Sequence, residues 1–169
     1  PFYVMNFTEI FEEKVVNYFV NEYFRGRTPN PCIACNKYVK FDALLIKAKA
    51  LEAKYVATGH YARVFYDSNI NRYLIRKSAT ELKDQTYVLY NLTQEQLKHI
   101  LMPLGDYTKD ETRRIASELD LDVADKPDSQ EICFIEDNDY GKFLRQKKGE
   151  SIKPGYFLDT KGNVLGQHK

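Results

Sequence analysis

The sequence has little of what holds a small secreted protein together: it contains three cysteines in 169 residues, and it has no tryptophan. Small secreted domains are rich in paired cysteines, whereas cytosolic proteins keep their thiols reduced. A small, odd number of cysteines therefore argues against a disulfide-built secreted fold and favours the cytoplasm, where thiols stay available for chemistry. The sequence also lacks an apolar run long enough to cross a bilayer, so we expect no membrane partner.

Neither sign of charge dominates, since 25 Lys and Arg residues face 24 Asp and Glu residues. Bulk charge therefore does not indicate nucleic-acid binding, and any such function must rest on local patches. Hydrophobic residues make up 43% of the chain, enough for one globular core or for one domain with part of another. The chain begins at Pro1 without methionine and stops at Lys169 inside a hairpin-like pattern, so we expect it to be part of a larger protein.

Apolar periodicity predicts alternating strands and helices in the first part of the chain: a strand at 2–7, helices at 10–24 and 41–53, and a strand at 55–58. This alternation is typical of a parallel α/β sheet, whose ligand sites lie beyond the carboxyl ends of the strands. Gly59 and His60 directly follow the second predicted strand. They therefore occupy a position where a site is expected.

The rest of the chain predicts shorter elements. A hairpin is expected at 64–77, and Thr93 and Thr108 are expected to cap two helices. Further elements follow: a strand at 129–135 that carries the third cysteine, a basic helix at 140–148, and a hairpin at 155–166 that opens a separate β domain.

The segment 25–41 holds two of the three cysteines, Cys32 and Cys35, in Cys-x-x-Cys spacing. Asn30 and Pro31 are the residue types of an N-cap and a first helical position, so we expect a helical turn that places both thiols on one face. A helix start with basic neighbours favours the reactive thiolate. The motif alone leaves redox or nucleophilic use and metal binding open. The basic neighbours are Arg25, Arg27, Lys37 and Lys40.

Cys133 lies about a hundred residues from the pair, and only folding can bring it close. A cysteine in a strand is often a small buried hydrophobe, but the polar residues before this one are those of a site rim. His60 is equally ambiguous between a structural donor and a site residue. Three cysteines and His60 would also form a tetrahedral zinc set, although a second closely spaced ligand pair is missing. The polar residues are Asp125, Asp128, Ser129, Gln130 and Glu131.

Basic residues interleaved with tyrosines are suited to contact phosphates and to stack on bases, although each one singly is an ordinary surface charge. They are Arg25, Arg27, Lys37, Lys40, Arg72, Arg76, Lys77 and Lys83, with Tyr38, Tyr61 and Tyr73.

Five ordered blocks closely resemble the tRNA-specific 2-thiouridylases of the MnmA/TrmU family, and they cover nearly the whole chain. The blocks are TPNPCIACNKYVKFDALL, ATGHYARV, LKDQTYVLYNL, PLGDYTKDETRRIASELDL and KPDSQEICFI. The resemblance implies an α/β fold with a partial Rossmann-like parallel sheet of the adenine nucleotide alpha-hydrolase (PP-loop ATPase) type. It further implies three parts: residues 1–99 from the nucleotide-binding catalytic domain, a small α+β central domain at 100–150 whose Cys133 strand packs back on the catalytic site, and the start of a β-barrel at 151–169.

The resemblance also implies an activity, the ATP-dependent 2-thiolation of the wobble uridine of tRNA. ATP, with Mg²⁺, adenylates the uridine, and a persulfide on Cys133 delivers the sulfur. The expected partners are tRNA and a cysteine desulfurase or sulfur relay protein, and we expect a cytoplasmic monomer without a resident metal. The phosphate-binding Ser-Gly-Gly-x-Asp-Ser loop of the family is expected upstream of Pro1.

Site residues follow from the matching blocks. Cys35 matches the nucleophile that closes a disulfide late in the cycle, Cys133 the persulfide carrier, and Gly59 a nucleotide contact. The implied tRNA-binding residues are Asn30, Pro31 and Cys32, which face the target base, together with His60, Lys83, Asp84 and Gln85.

Some family members carry an aspartate where this chain has Cys32, which leaves an acid/base role at that position open. Two alternative functions also remain at this point. One alternative function is a zinc-stabilised RNA-binding module without catalysis. The other is a sister enzyme of the same ATP-dependent superfamily, such as an amidotransferase or synthetase, but such reactions do not need three cysteines.

Overall fold

The computed structural model describes residues 2–124, 131–135, 137–148 and 154–168. The chain forms two compact units, Pro1–Asp128 and Ser129–Lys169. No helix within the described ranges is both long and apolar enough to cross a bilayer.

The first unit begins with residues 2–7, which lack regular secondary structure. The strand predicted there is wrong: Phe2 and Val4 are 90% and 88% exposed, and no strand among the described residues pairs with this segment. A strand is held by the hydrogen bonds of a neighbouring strand, so an apolar run alone does not produce one.

The helix predicted at 10–24 is confirmed. It runs without a break through α1 (Thr8–Phe11), a π-helical segment (Glu12–Val16) and α2 (Asn17–Phe24). The helix ends at Phe24, and the chain turns away at Gly26, whose φ of +72° is strained for most other residue types. The Gly26 N–H donates to the Tyr23 carbonyl and the Arg27 N–H to the Glu22 carbonyl, the two bonds of a Schellman C-cap.

The helix predicted at 41–53 begins ten residues earlier. It runs through α3 (Pro31–Ala34), a π-helical segment (Cys35–Ala43) and α4 (Leu44–Ala50). The N-cap signal at Asn30 and Pro31 is therefore the start of this long helix, because no helix-breaking residue lies between Cys32 and Phe41. The cysteine pair lies in its first turns.

A parallel pair of strands confirms the predicted α/β architecture: β1 (Val56–Ala57) pairs with β4 (Ile100–Leu101). Strands β2 (Ala62–Asp67) and β3 (Arg72–Lys77) form the predicted antiparallel hairpin. The main core packs around this arrangement and consists of Phe41, Ala62, Val88, Leu89, Ile100 and Met102. The predicted domain boundary at 99/100 falls between β1 and its partner β4, and the three-domain division stays a prediction.

Two short helices confirm the predicted caps. Thr93 and Gln96 form a capping box at α5 (Gln94–Leu97), and Thr108 and Glu111 form one at α6 (Lys109–Glu118). Before α6, the 3₁₀ turn Pro103–Asp106 packs closely on β2. A Cβ atom at Gly105 would lie 2.1 Å from the Ala62 carbonyl oxygen, so only glycine fits at this contact.

The second unit contains a turn at 131–135, α7 (Tyr140–Lys148), and the strands β5 (Gly155–Leu158) and β6 (Val164–His168). The helix and the antiparallel hairpin are confirmed, while the separate β domain stays a prediction. The strand expected at 129–135 is wrong for its described residues, 131–135, which form a turn. No described strand pairs with this segment, and Phe134 packs instead against Phe143 of α7 at 5.5 Å between ring centroids.

Candidate functional site

The cysteine pair is held by an N-cap of the predicted kind. The Asn30 Oδ1 atom accepts hydrogen bonds from the N–H groups of Cys32, at 3.0 Å, and Ile33, at 3.3 Å. Pro31 is buried at the first helical position. The Cys32 side chain is exposed, whereas Cys35 is partly buried. The two thiols therefore differ in access although they lie one turn apart.

Asn36, directly after Cys35, ties this turn together from within. Its side chain is 2% exposed, and its Nδ2 atom donates to the Cys32 carbonyl at 3.0 Å. Its Oδ1 atom has no hydrogen-bond partner among the described residues. The π-helical segment begins at Cys35, and irregularities of this kind inside helices are frequent at functional sites. Sequence reasoning missed Asn36, and its only signal was a polar residue between two apolar helical positions.

His60 packs against the cysteine helix, the continuous helix at 31–50 that carries Cys32 and Cys35. Its ring centroid lies 5.7 Å from that of Phe41, and its Nδ1 atom is 2.9 Å from the Thr58 hydroxyl. Burial, and then the positive charge of Lys40, lower the pKa of His60 to about 4. The imidazole is therefore neutral at pH 7, and because His60 is 7% exposed it can offer a hydrogen bond but neither a charge nor a stacking face.

Gly59 precedes His60 past the end of β1. A Cβ atom there would meet only the Leu104 side chain, at 3.6 Å, an ordinary contact. Neighbouring protein atoms therefore do not require glycine at this position, and the space beside the backbone remains open.

The Lys83–Gln85 turn is joined to the His60 segment by two hydrogen bonds. The Tyr61 N–H donates to the Gln85 Oε1 atom, and the Gln85 N–H donates to the Tyr61 carbonyl, both at 2.9 Å. Lys83 ends a 3₁₀ turn, Glu81–Lys83. Gln85 thus has a structural task in addition to any contact with RNA.

Asp84 is also engaged within the fold. Its carboxylate accepts hydrogen bonds from the Ser78 N–H, at 3.0 Å, and from the Thr86 hydroxyl and N–H. Burial raises the pKa of Asp84, but these hydrogen bonds outweigh burial and hold it below its usual range. The carboxylate is therefore an anchor of the turn at neutral pH.

Three of the four cations expected to favour a thiolate have other partners. Arg25 and Arg27 contact the Glu22 carboxylate at 3.1 and 2.7 Å, and the hydrogen bond from Arg27 is the main cause that lowers the pKa of Glu22. The Lys37 Nζ atom lies 4.7 Å from the Tyr38 ring centroid. Besides burial, the positive charge of Lys40 lowers the pKa of His60, which is a repulsion and not a pairing. The sequence proximity of these cations to the cysteines is thus weaker support for a thiolate than the pattern indicated.

Cys133 is exposed in the turn of the second unit. The neighbouring Glu131 accepts a hydrogen bond from the Tyr140 hydroxyl at 2.9 Å. The predicted polar rim residues Asp125, Asp128, Ser129 and Gln130 lie outside the described residues, and the approach of Cys133 to Cys35 stays a prediction. Within the described ranges, no three His, Cys, Asp or Glu side chains group closely enough to hold a metal ion.

Fold and site together define an α/β protein with a cysteine helix beside a glycine-histidine segment that follows a parallel strand. A family model described as "tRNA methyl transferase HUP domain" matches residues 1–137. The chain therefore belongs to this family, and the resemblance found in its sequence is confirmed.

Curated relatives match the chain along its full length. It is 63% identical over 169 residues to the "tRNA-specific 2-thiouridylase MnmA" of Acetivibrio thermocellus, covering 100% of this chain and 47% of the relative. It is 65% identical over 168 residues to "tRNA-specific 2-thiouridylase MnmA 1" of a Thermoanaerobacter species, covering 99% and 46%. The Clostridioides difficile MnmA is 58% identical over 169 residues, with coverage of 100% and 47%. The chain thus spans about half the length of the curated relatives it matches.

Proposed function

We propose that the chain is part of a cytoplasmic enzyme that thiolates carbon 2 of the wobble uridine base of tRNA. The observation that carries the proposal is the assembly of three expected segments in one unit. Phe41 of the cysteine helix packs on His60, and Gln85 binds Tyr61 through both its side chain and its backbone. The names of relatives that are 58–65% identical support the same reaction.

The chemistry proceeds in two stages. The uridine carbonyl oxygen is a poor leaving group, so ATP first adenylates it. A persulfide on Cys133 then attacks the activated carbon through its terminal sulfur, and AMP leaves with the oxygen. The Cys35 thiolate attacks the Cys133 sulfur of the adduct, which breaks the sulfur–sulfur bond and releases 2-thiouridine. The resulting Cys35–Cys133 disulfide is reduced by an external thiol, and a cysteine desulfurase or relay protein reloads Cys133.

This chain's residues have distinct tasks in the proposal. The open backbone at Gly59 lies against the nucleotide, while Asn30, Pro31 and Cys32 face the target base. His60, which is neutral and 7% exposed, offers a hydrogen bond to RNA and no charge, and Lys83 supplies charge from the turn that Asp84 and Gln85 anchor. Mg²⁺ accompanies the phosphates of ATP, and we assign no ligand for it because the described residues contain no group of metal-binding side chains.

Replacement of Cys133 by serine in the complete protein tests the proposal. Cys133→Ser is expected to abolish 2-thiouridine in tRNA digests analysed by mass spectrometry, while ATP-dependent uridine adenylation continues because only the sulfur carrier is lost. Normal 2-thiouridine in this variant would contradict the assignment. Stoichiometric zinc in the purified protein without any thiolation would favour the zinc-stabilised RNA-binding module instead, and methylated uridine would indicate the reaction in the family's description.

A further inference from the structure

Two arginines face each other across the β2–β3 hairpin. Arg63 and Arg76 are direct partners in the antiparallel register, and both line a groove of about 480 Å³. Like charges directly opposite each other destabilise a strand pair. A fold that keeps this pair therefore places two guanidinium groups where an anion would relieve their repulsion.

Among the described residues that line the groove, Asp106 supplies the one carboxylate for these two cations. The Arg63 Nε–H donates to the Lys77 carbonyl at 2.8 Å, which fixes the guanidinium against β3. Its Nη1 atom lies 3.4 Å from Asp106, longer than the 2.7–2.9 Å typical of a strong charge-assisted bond. Asp106 is also 74% exposed, so its pairing with Arg63 is screened by water.

Arg76 is held over an aromatic face. Its guanidinium carbon lies 4.5 Å from the centroid of the Phe65 ring. Stacking of this kind orients the plane of the guanidinium and leaves its edge, with the N–H donors, for a planar acceptor. A bidentate bond to phosphate uses that edge.

The groove lies beside the segments already expected to contact tRNA. Its wall includes Leu101 and Met102 at the carboxyl end of β4, the edge of a parallel sheet where ligands bind. One step back along the hairpin, Ala62 pairs with Lys77, and Ala62 follows the Tyr61 that Gln85 holds. The arginine pair therefore lies one residue pair along the hairpin from the segment that Gln85 holds.

We propose that Arg63 and Arg76 bind a backbone phosphate of the tRNA, so that the phosphate replaces Asp106 as the partner of Arg63. The inference rests on the proposed function and adds a phosphate contact to its expected tRNA-binding residues. A free nucleotide suits the groove less well, because a phosphate-binding nucleotide site is built from backbone N–H groups at a glycine-rich helix start, and side chains supply the charge here.

The test measures tRNA binding to the complete protein as a function of salt. Arg76→Gln is expected to weaken binding several-fold and to lower the slope of log K against log salt by about 0.7–0.9, the value for one lost phosphate contact. Arg76→Lys keeps the charge but loses the bidentate fork, so it should retain the slope and lose part of the affinity. Asp106→Asn removes the competing carboxylate and should strengthen binding.

Arg113→Gln is the matched control. Arg113 is exposed on α6, outside the groove, and its replacement removes the same charge from the same unit. Neither the affinity nor the salt slope should change in this variant. Thermal melts of all four variants identify any loss of folding, and Asp106→Asn keeps the test decisive because a misfolded protein would not bind more tightly.

Equal effects of Arg76→Gln and Arg113→Gln, or weaker binding in Asp106→Asn, would overturn the inference. A loss of ATP affinity in Arg76→Gln with unchanged tRNA binding would assign the groove to the nucleotide, which also overturns it. A wild-type protein that neither binds nor thiolates tRNA would overturn both the inference and the proposed function. A wild type that does both, with no specific effect of Arg76→Gln, would overturn the inference alone.

Discussion

The helix start at 30–35 and the turn at 131–135 both carry cysteines, but they differ in how firmly they are held. In the helix start, Pro31 and Ala34 are buried, the Asn30 side chain binds two backbone N–H groups, and Asn36 ties back to the Cys32 carbonyl. In the turn, Ile135 is the one described residue that is buried, and the Cys133 side chain is exposed.

This difference matches the two tasks that the proposed reaction assigns. A thiol that receives sulfur from another protein must be accessible to that protein, and an exposed turn provides this access. A thiol that attacks a defined sulfur atom gains most from a fixed position, because the loss of freedom occurs on folding and not during the reaction. The comparison indicates that Cys35 is the positioned group and Cys133 the accessible one.

The largest expected effect separates the two thiols of the helix start. Cys35→Ser should abolish turnover, because serine cannot accept the sulfur–sulfur exchange that releases the product. Cys32→Asp should keep substantial activity, because the family resemblance implies an aspartate at this position in some members. Both are measured as 2-thiouridine formed per enzyme. Equal losses, or a disulfide mapped between Cys32 and Cys133 during turnover, would overturn the choice of Cys35 as the nucleophile.

A second effect concerns the buried amide that makes the helix start rigid. Asn36→Asp places a carboxylate against the Cys32 carbonyl in place of a donor, and a buried group that loses its partner and gains a charge costs about 3 kcal/mol. Asn36→Leu removes the Nδ2 bond but also the unpartnered Oδ1 atom, so it should cost much less.

Urea denaturation of the two Asn36 variants gives the free energies of unfolding. The alkylation rate of Cys35 gives a separate readout of positioning, since Asn36→Leu should change that rate while the Cys133 rate stays as in the wild type. Stability equal to that of the wild type in both variants would show that the Asn36 amide does not hold this turn.

The third effect is a dependence of stability on pH. It should affect the helix that carries the cysteine pair and leave the turn at 131–135 unchanged. The pKa of His60 falls from 6.5 to about 4 on folding. Between these values the unfolded chain binds a proton that the folded protein does not, so stability is fully present above pH 6.5 and is lost as the pH falls towards 4. The loss is on the order of 2 kcal/mol, because one pKa unit is worth about 1.4 kcal/mol and the ring keeps some access to water.

Hydrogen exchange at pH 5 and pH 7 measures the His60 effect region by region. Protection should fall at low pH in the helix that carries Phe41, and the turn at 131–135 should show no matching change. His60→Gln lacks the titration and should flatten the pH dependence of stability. If stability depends on pH in the same way in His60→Gln and in the wild type, His60 is not the buried, neutral histidine described above.

The local signals in the sequence were strong where one residue determines the structure. Asn30 with Pro31, Thr93 and Thr108 each indicated a helix start, and each is one, because a cap depends on the side chain at that position and on the next few N–H groups. The hairpin of β2 and β3 was likewise evident from two apolar runs around a polar turn.

Signals that depend on distant partners were weaker. Residues 2–7 and 131–135 are apolar runs with no described strand to pair with, so neither is a strand. The cations around the cysteines looked free in the sequence, yet Glu22 binds Arg25 and Arg27, and the Tyr38 ring contacts Lys37. The hydrogen bonds between Gln85 and Tyr61 join residues 24 positions apart, and sequence spacing does not show such a contact.

The smallest expected effect tests whether the helix start owes its order to its cap. Asn30→Ala removes the acceptor of the Cys32 and Ile33 N–H groups and should lower the free energy of unfolding by about 1 kcal/mol. Asn30→Asp retains an acceptor oxygen at the same position and should keep most of that stability. Because Asn30 is also proposed to face the target base, Asn30→Asp can still lose activity while it stays folded. If Asn30→Ala proves as stable as the wild type in urea, the cap contributes nothing, and the order of the cysteine turn must come from Asn36 and the core beneath Pro31 and Ala34.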